Sequence, residues 1–355
     1  MRGRSSGRPL AFPRRAARGA PTRPSWNLSC TLPLMPGETL ERIRLRCSEV
    51  ARKAVHVRVC SDALDDYARR ISSTAGAGLL YDQTLHFRGS PEDTVAYLVT
   101  LDAVNFGSGY FPHLAKRPGT SGYGTIAGAL TDRFRARGPI SADELLRITT
   151  AECGQIFRQD PVSSPIGELM SLFAHAWNDL GRDLLLRFRG SFTTLVDAAG
   201  ESAERMVGLL DCQPFFRDVS LYGGRDVPFY KRAQILASDL ALAFNGTGWG
   251  RFHDLGSLTL FADNLVPHVL RLDGVLTYSP DLAQHIEREE LLPPGCPAEV
   301  EIRACALHAV ERIVESLRAT GRPMTARDVD GTLWNRGQAP RYKASPRHRT
   351  RTTAY

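Results

Sequence analysis

The sequence predicts a mostly α-helical protein with two helical lobes, a cleft between them and a few short strands. Helix-start signals recur along the chain: Pro91 follows Ser90, and Glu144 lies three residues after Ser141. These are N-cap and capping-box patterns. Apolar residues recur at helical spacing in residues 165–180 and 231–244, whereas strand-like alternation is short and rare. We therefore expect helices to build most of the core.

The individual elements follow from these signals in chain order. Helices are predicted to begin near Ser61, Ser90, Ser141, Pro165 and Ser279, and to span residues 192–210, 231–244 and 300–317. Alternating residues on both sides of Gly223 and Gly224 predict a hairpin over 219–229. A further short strand is expected within residues 55–59.

Net charge divides the chain into an arm, a body and a tail. Of the 45 Lys and Arg residues, seven lie in residues 1–37, which contain no Asp or Glu, and the other 38 balance the 38 acidic residues. Residues 1–37 are predicted to be disordered or transit-like. Residues 38–355 are predicted to form one domain with a basic tail, because no acid follows Asp330.

Composition and motifs exclude several classes of protein. No segment approaches the ~18 apolar residues of a membrane span. The balanced body shows no basic stripe for duplex binding. The seven scattered cysteines contain no CxxC pair, which argues against a disulfide framework and for a reducing compartment. GxSxG, P-loop, HExxH and helix-opening GxGxxG motifs are absent.

Two charged residues stand at the ends of apolar segments. Asp263 follows the apolar run 258–262, and Lys231 follows the hairpin segment. A carboxylate in such a position is either an N-cap or a desolvated functional acid, and position alone favours the N-cap. The corresponding structural interpretation of Lys231 is a solvated cation at a helix start.

Longer segments around these residues resemble the queuosine-salvage family, the queuosine 5'-phosphate N-glycosidases. The resemblance is carried by YKRAQIL (230–236) and FAD (261–263), with LDAVNF (101–106), GSF (190–192), EVEIR (299–303) and PRHRTR (346–351). It extends from about residue 38 onward. It implies a fold like that of helix-hairpin-helix DNA glycosylases, and hydrolysis of queuosine 5'-monophosphate to release queuine, with queuosine as a second candidate substrate.

The resemblance also implies the site residues. Asp263 is the implied catalytic carboxylate and Lys231 its neighbour. The implied substrate-binding residues are His86, Asn105, Phe106, Phe261, Asp330, Trp334, His348, Arg349 and Arg351. Each also has a structural interpretation: His86 as a packed histidine, Asn105 as a helix end, Trp334 as a helix anchor and the tail cations as a solvated end.

These residue types suit the implied chemistry. A fixed carboxylate near C1' stabilises an oxocarbenium-like state or orients water, and Lys231 would hold Asp263 ionised. Queuine is a 7-deazaguanine without a ring N7 to protonate, so a general acid must act elsewhere on the base. Asp330 is a candidate partner for its cationic secondary amine, and Arg349 or Arg351 for the 5'-phosphate.

Two other functions remain open from the residues alone. A helix-hairpin-helix DNA glycosylase would share the Lys/Asp chemistry, but the sequence lacks a glycine-rich LPGVG-type hairpin. A non-enzymatic tRNA-associated module would use the basic tail. For salvage hydrolysis we expect no cofactor, no metal, no stable nucleic-acid or membrane association, a monomer, and a cytoplasmic location unless residues 1–37 target an organelle.

Overall fold

The computed structural model describes residues 38–74 and 81–355, so the prediction for residues 1–37 lies outside the described residues. Helices dominate this part of the chain, which confirms the mostly α class. The first nine are α1 (Glu38–Lys53), α2 (Ser61–Thr74), α3 (Pro91–Ala103), α4 (Gly122–Arg137), α5 (Ala142–Arg147), α6 (Thr150–Phe157), α7 (Ile166–Arg187), α8 (Phe192–Ala198) and α9 (Ala203–Asp211). The others are α10 (Lys231–Ala243), α11 (Val266–Leu272), α12 (Pro280–Glu287), α13 (Pro297–Ala319), α14 (Ala326–Arg336) and α15 (Pro340–Lys343).

Helix starts agree with the capping signals in the sequence. The Ser90 hydroxyl accepts a hydrogen bond from the backbone N–H of Asp93, and Ser141 and Glu144 form a reciprocal capping box. The predicted helix over 192–210 is wrong in one respect, since it is two helices, α8 and α9. Gly200 and Glu201 both have positive φ between them, which ends the first helix before Ser202 caps the second.

The described strands form two antiparallel pairs. β2 (Val219–Tyr222) and β3 (Arg225–Pro228) form the predicted hairpin, and Gly223 and Gly224 supply the two positive φ angles of its turn. β1 (Val57–Val59) lies within the predicted 55–59 segment and pairs with β4 (Leu276–Tyr278), a strand that the sequence did not predict.

The core is organised around α13, which packs against α1, α2 and α14. α10 packs against α3 and α9. This arrangement brings together the start of α10, the loop before α11, the C-terminal part of α3 and the middle of α14. The resemblance to helix-hairpin-helix DNA glycosylases, the two-lobed arrangement and the single domain over 38–355 stay predictions.

Two further features of the described residues bear on the sequence expectations. None of the described helices is both long and apolar enough to cross a membrane. The thiols of Cys47, Cys60, Cys153, Cys296 and Cys305 are free, whereas Cys212 is disulfide-bonded.

Candidate active site

Lys231 is the first residue of α10 and lies where the hairpin turns into that helix. Its side chain is buried, so it is not the solvated helix-start cation considered above. Its backbone N–H donates to Asp218 Oδ2 at 3.1 Å. Tyr230, just before it, has a φ of 48°, a conformation uncommon for a residue with a bulky side chain. The main-chain oxygen of Asp218 accepts hydrogen bonds from Phe229 and Tyr230 and so holds this sharp turn.

Asp263 caps the start of α11 and also faces Lys231. Its Oδ1 accepts hydrogen bonds from the backbone N–H groups of Leu265 at 2.7 Å and Val266 at 3.3 Å. The N-cap interpretation made from position is therefore geometrically correct. Burial lowers the pKa of Lys231 and the charge of Asp263 opposes that shift, so the two side chains lie within electrostatic reach of each other. The two capping bonds use only Oδ1, and the interpretation of Asp263 as a functional acid stays a prediction.

Several carboxylates surround the Lys231 ammonium group. Burial lowers the pKa of Lys231, and Asp263, Asp102 and Asp330 oppose that shift. Burial, followed by the charge of Asp263, raises the pKa of Asp330 well above its ordinary value. Asp330 Oδ1 accepts a hydrogen bond from the backbone N–H of Phe261 at 3.2 Å. α14 thus places a carboxyl group against the segment that carries Asp263.

Asp102 and Asp239 belong to the same cluster and were missed by sequence reasoning. Burial and the charge of Asp239 raise the pKa of Asp102 well above its ordinary value. Asn105 donates to Asp102 Oδ1 at 3.1 Å, while Oδ2 is buried without a hydrogen-bond partner. Burial raises the pKa of Asp239 to about 7, against the opposing charges of Arg327 and Lys231. The available signal was an acidic residue inside an otherwise apolar helical stretch, 95–104 for Asp102.

His86 lies in an aromatic group beside these carboxylates. Its Nδ1 is 3.1 Å from the main-chain oxygen of Asp82, and its Nε2 is 2.9 Å from the Tyr123 hydroxyl. Burial lowers the pKa of His86, which favours the neutral ring. Burial and then the charge of Asp239 raise the pKa of Tyr123, so this hydroxyl lies within electrostatic reach of Asp239. His86 therefore borders the carboxylate cluster through Tyr123.

The three aromatic candidates occupy different environments. Phe106 is buried, with ring contacts to Phe173 and Phe215, in an arrangement typical of core packing. Phe261 is largely buried and meets Asp330 through its backbone. Trp334 is 38% exposed and lies one helical turn after Asp330 on α14. Of the three, Phe261 and Trp334 lie beside cluster residues along the chain or helix.

The basic tail packs into the body instead of extending into solvent. Thr350 is buried, and Arg232 donates to the main-chain oxygen of Thr353 at 2.8 Å. His348 is buried, and this burial lowers its pKa to about 3. Arg349 forms an ion pair with Glu289 at 3.0 Å.

The tail arginine within reach of the carboxylate cluster is one that the sequence did not single out. Arg351 lies over the Tyr110 ring, 5.3 Å from its centroid. Burial lowers the pKa of Arg347, and the charge of Asp263 opposes that shift. The FAD and PRHRTR segments therefore meet in space through Asp263 and Arg347. The sequence indicated this region through the PRHRTR motif, but the motif does not show which of its arginines faces the carboxylate cluster.

No group of three or more His, Cys, Asp or Glu side chains within residues 38–74 and 81–355 could hold a metal ion. What the cluster can do chemically follows from its charges. It combines a partly exposed carboxylate fixed through one oxygen, a buried ammonium group and carboxyl groups that hold protons more tightly than usual. Groups of this kind can stabilise a cation and transfer protons near neutral pH.

Comparison with known proteins identifies the family of this chain. A family model described as queuosine salvage protein matches residues 85–355. The chain belongs to that family. It is 36% identical over 327 residues to a queuosine 5'-phosphate N-glycosylase/hydrolase of Sphaerobacter thermophilus, covering 90% of this chain and 99% of that protein. Proteins of the same name are 31% identical over 332 residues in Dictyostelium discoideum, covering 89% and 99%, and 33% identical over 290 residues in Mus musculus, covering 76% and 85%.

Proposed function

We propose that this chain hydrolyses the N-glycosidic bond of queuosine 5'-phosphate and releases queuine for salvage. Relatives that bear the name of this activity align over nearly their whole length. The observation that carries the proposal is the cluster around Lys231, where a capping carboxylate and a buried ammonium group lie within electrostatic reach of each other. The enzyme is thus a hydrolase that acts on an N-glycosyl bond.

Asp263 is the proposed catalytic carboxylate. With Oδ1 fixed by two backbone N–H groups, Oδ2 is available to face C1' of the ribose or to orient a water molecule. A carboxylate held in this way stabilises the positive charge that develops on the sugar.

The buried carboxyl groups around Lys231 support a cationic substrate. Burial raises the pKa values of Asp102, Asp239 and Asp330, and a neighbouring carboxylate adds to the shifts of Asp102 and Asp330. A substrate that brings its own cation would relieve this repulsion. The secondary amine of the queuine base is such a cation, and we keep Asp330 as its proposed partner. Protonated Asp102 or Asp239 could supply a proton to the departing base.

The other predicted substrate contacts remain proposals, and the contacts of each residue support a particular role for it. Arg347 is the proposed 5'-phosphate ligand, because it approaches Asp263, whereas Arg349 is engaged with Glu289. His86, Asn105, Phe261 and Trp334 are proposed to line the base pocket, and Phe106 to support it from the core. His348 and Arg351 are proposed to hold the tail in place.

The assembly and location of the enzyme are also proposals. We expect a cytoplasmic monomer that acts on a free nucleotide without stable nucleic-acid binding, unless residues 1–37 direct it to an organelle. The equal numbers of acidic and basic residues outside that arm support this view. Size-exclusion chromatography and tRNA titration at low salt would check the two expectations.

The deciding experiment measures queuine release from queuosine 5'-monophosphate without added metal. Wild type is expected to release queuine, and Asp263→Asn is expected to lower the rate about 10²–10⁴-fold. Asp254→Asn is the matched control, because Asp254 also binds the start of a helix, accepting hydrogen bonds from Ala203 N and Glu204 N. Both variants should keep nearly all of their stability, because Asn caps a helix about as well as Asp.

Of the two substitutions, only Asp263→Asn should affect catalysis. Asp254→Asn is expected to keep kcat within about threefold of wild type, since its helix carries no proposed catalytic group. Equal rates for the two variants would reduce Asp263 to a structural cap. No release by folded wild type would overturn the proposed activity.

A further inference from the structure

A buried arginine contacts both segments that carry the proposed catalytic pair, Asp263 and Lys231, and is not itself part of that pair. Arg303 lies on α13 and is 1% exposed. Its Nε donates to the main-chain oxygen of Ala262 at 3.0 Å, directly before Asp263. Its two terminal nitrogens donate to Asp218 Oδ1 at 2.9 Å and Oδ2 at 2.6 Å. One guanidinium group therefore holds the Asp263 segment on one side and Asp218 on the other.

Asp218 continues the connection to the other catalytic residue. Its Oδ2 accepts the hydrogen bond from the backbone N–H of Lys231, and its main-chain oxygen accepts those from Phe229 and Tyr230. The carboxylate is thus fixed by Arg303 while it fixes the first residue of α10. The path from Ala262 to Lys231 consists of hydrogen bonds through two buried side chains.

The chemistry of arginine suits this position. The planar guanidinium group offers donors in a rigid fork, so it can serve Ala262 and both oxygens of Asp218 at once, which a lysine ammonium group cannot do with the same geometry. The Arg303 guanidinium carbon also lies 3.9 Å from the centroid of the Phe229 ring, which precedes Tyr230 and Lys231. Each of these contacts restricts the same junction between β3 and α10.

We propose that Arg303 and Asp218 form a positioning pair that sets the placement of Lys231 relative to Asp263 during glycosidic hydrolysis. Neither side chain is a catalytic residue, because both act through the backbone of their neighbours. This inference rests on the proposed function. A displacement of a catalytic group by about 1 Å can cost about 10²-fold in rate, so a small rearrangement of the pair should be visible in kcat.

The same helix provides a control for purely structural effects. Glu301 is also 1% exposed and lies two residues before Arg303. Its Oε2 accepts hydrogen bonds from the backbone N–H groups of Val55, His56 and Val57. Its Oε1 accepts a hydrogen bond from the Tyr222 hydroxyl at 2.8 Å, at the turn end of the hairpin. Glu301 therefore holds the start of β1 and the hairpin turn, and none of these hydrogen bonds goes to the Asp263 segment or to the junction before Lys231. Loss of stability at Glu301 should not change the geometry of the site.

The experiment compares Arg303→Lys and Asp218→Glu with Glu301→Gln. The first two substitutions keep the charge of each side chain. Arg303→Lys removes the forked guanidinium group, and Asp218→Glu lengthens the carboxylate side chain. Queuine release is measured from the monophosphate at a temperature where all variants are folded by circular dichroism. For Arg303→Lys and Asp218→Glu we expect kcat to fall by about 10–100-fold with KM within about threefold. Glu301→Gln should keep kcat within about threefold of wild type even if its Tm is lower.

The double variant tests whether the two residues act as one unit. In the variant that combines Arg303→Lys with Asp218→Glu, the fold decrease in kcat should be at most about twice that of the more damaging single variant. Either single substitution already breaks the hydrogen bonds between the two side chains. The inference is overturned if the single variants keep the kcat of Glu301→Gln, or if their losses multiply in full. Should Arg303→Lys fail to fold, Asp218→Glu alone decides by the same criterion. Inactive wild type would overturn the proposed function and this inference together, whereas active wild type with unaffected variants overturns only the inference.

Discussion

Two groups of buried charges lie side by side in this protein and are organised in opposite ways. In the first group, Arg303 donates two hydrogen bonds to Asp218 and also lies 3.9 Å from Glu299. Around Lys231, several carboxylates lie among further cations, Arg232, Arg327 and Arg347, and Asp102 Oδ2 has no hydrogen-bond partner among the described residues. The first arrangement is typical of structure, because its charged atoms are joined by hydrogen bonds. The second leaves a buried carboxyl oxygen unpaired and contains carboxyl groups with raised pKa values, which is a property of functional sites.

Removal of the shared cation should have the largest effect on activity. Lys231→Met keeps the length and packing of the side chain but leaves the neighbouring carboxylates without their common partner. We expect the rate of queuine release to fall by about 10²–10⁴-fold, the range of a positioned proton-transfer or electrostatic group. Release is measured from the monophosphate under single-turnover conditions.

Lys53→Met serves as the control, because Lys53 is exposed at the end of α1 and should retain full activity. Activity of Lys231→Met within threefold of this control would assign Lys231 a structural role only.

Stability should change in opposite directions in the two groups of charges. Asp218→Asn removes the carboxylate that makes two hydrogen bonds to Arg303, leaves only Glu299 at 3.9 Å as an ion-pair partner, and should lower the free energy of unfolding by about 3 kcal/mol. Asp102→Asn removes a carboxyl group whose ionised form is already disfavoured by burial and by Asp239. This substitution should raise the free energy of unfolding by about 1 kcal/mol at pH 8. Urea unfolding of both variants and of wild type provides the comparison.

The gain from Asp102→Asn should depend on pH. A carboxyl group whose pKa rises on folding gives stability that is complete below its unfolded pKa of about 3.9 and is lost as pH rises through its folded pKa. The advantage of Asp102→Asn over wild type should therefore shrink from pH 8 towards pH 5. A destabilised Asp102→Asn, or a difference that does not vary with pH, would contradict the view that the Lys231 cluster stores unfavourable charge.

The smallest effects are expected for the tail arginines, and they should differ between the phosphorylated and the unphosphorylated substrate. Arg347→Ala should raise KM for queuosine 5'-monophosphate by about 10–100-fold and leave that for free queuosine unchanged, since a charge-assisted hydrogen bond is worth about 1.5–3 kcal/mol. Arg349→Ala should change neither KM and lower stability by at most about 1 kcal/mol, the value of a surface ion pair. Steady-state kinetics on both substrates is the measurement. The reverse pattern would place the phosphate at Arg349.

Local features of the fold were predictable from sequence because they depend on neighbours in the chain. The caps at Ser90 and Ser141 and the hairpin turn at Gly223 and Gly224 are of this kind. β4 was not predicted, because its partner β1 lies far away along the chain. The division of the 192–210 helix needed the positive φ angles of Gly200 and Glu201, which apolar periodicity does not reveal.

The proposed site was predictable only in part for a similar reason. Asp263, Lys231 and Asp330 were found through motifs, and the structure brings their charges together. Asp102 and Asp239 were missed, because a carboxylate in a helix gains its role from groups that only tertiary packing supplies. In the tail, sequence indicated a cluster of cations, but packing decides that Arg347 lies near Asp263 and that Arg349 meets Glu289.

The central claim is that the buried carboxyl groups around Lys231 receive a cationic substrate. The most direct measurement compares kcat/KM for queuosine 5'-monophosphate with that for two analogues, one with a neutral N-formyl group on the secondary amine and one with an N-methyl group that keeps the charge. A lost charge-assisted contact predicts that the N-formyl analogue is poorer by at least about tenfold, while the N-methyl analogue stays close to the natural substrate. Equal kcat/KM for the neutral and charged analogues would contradict the claim.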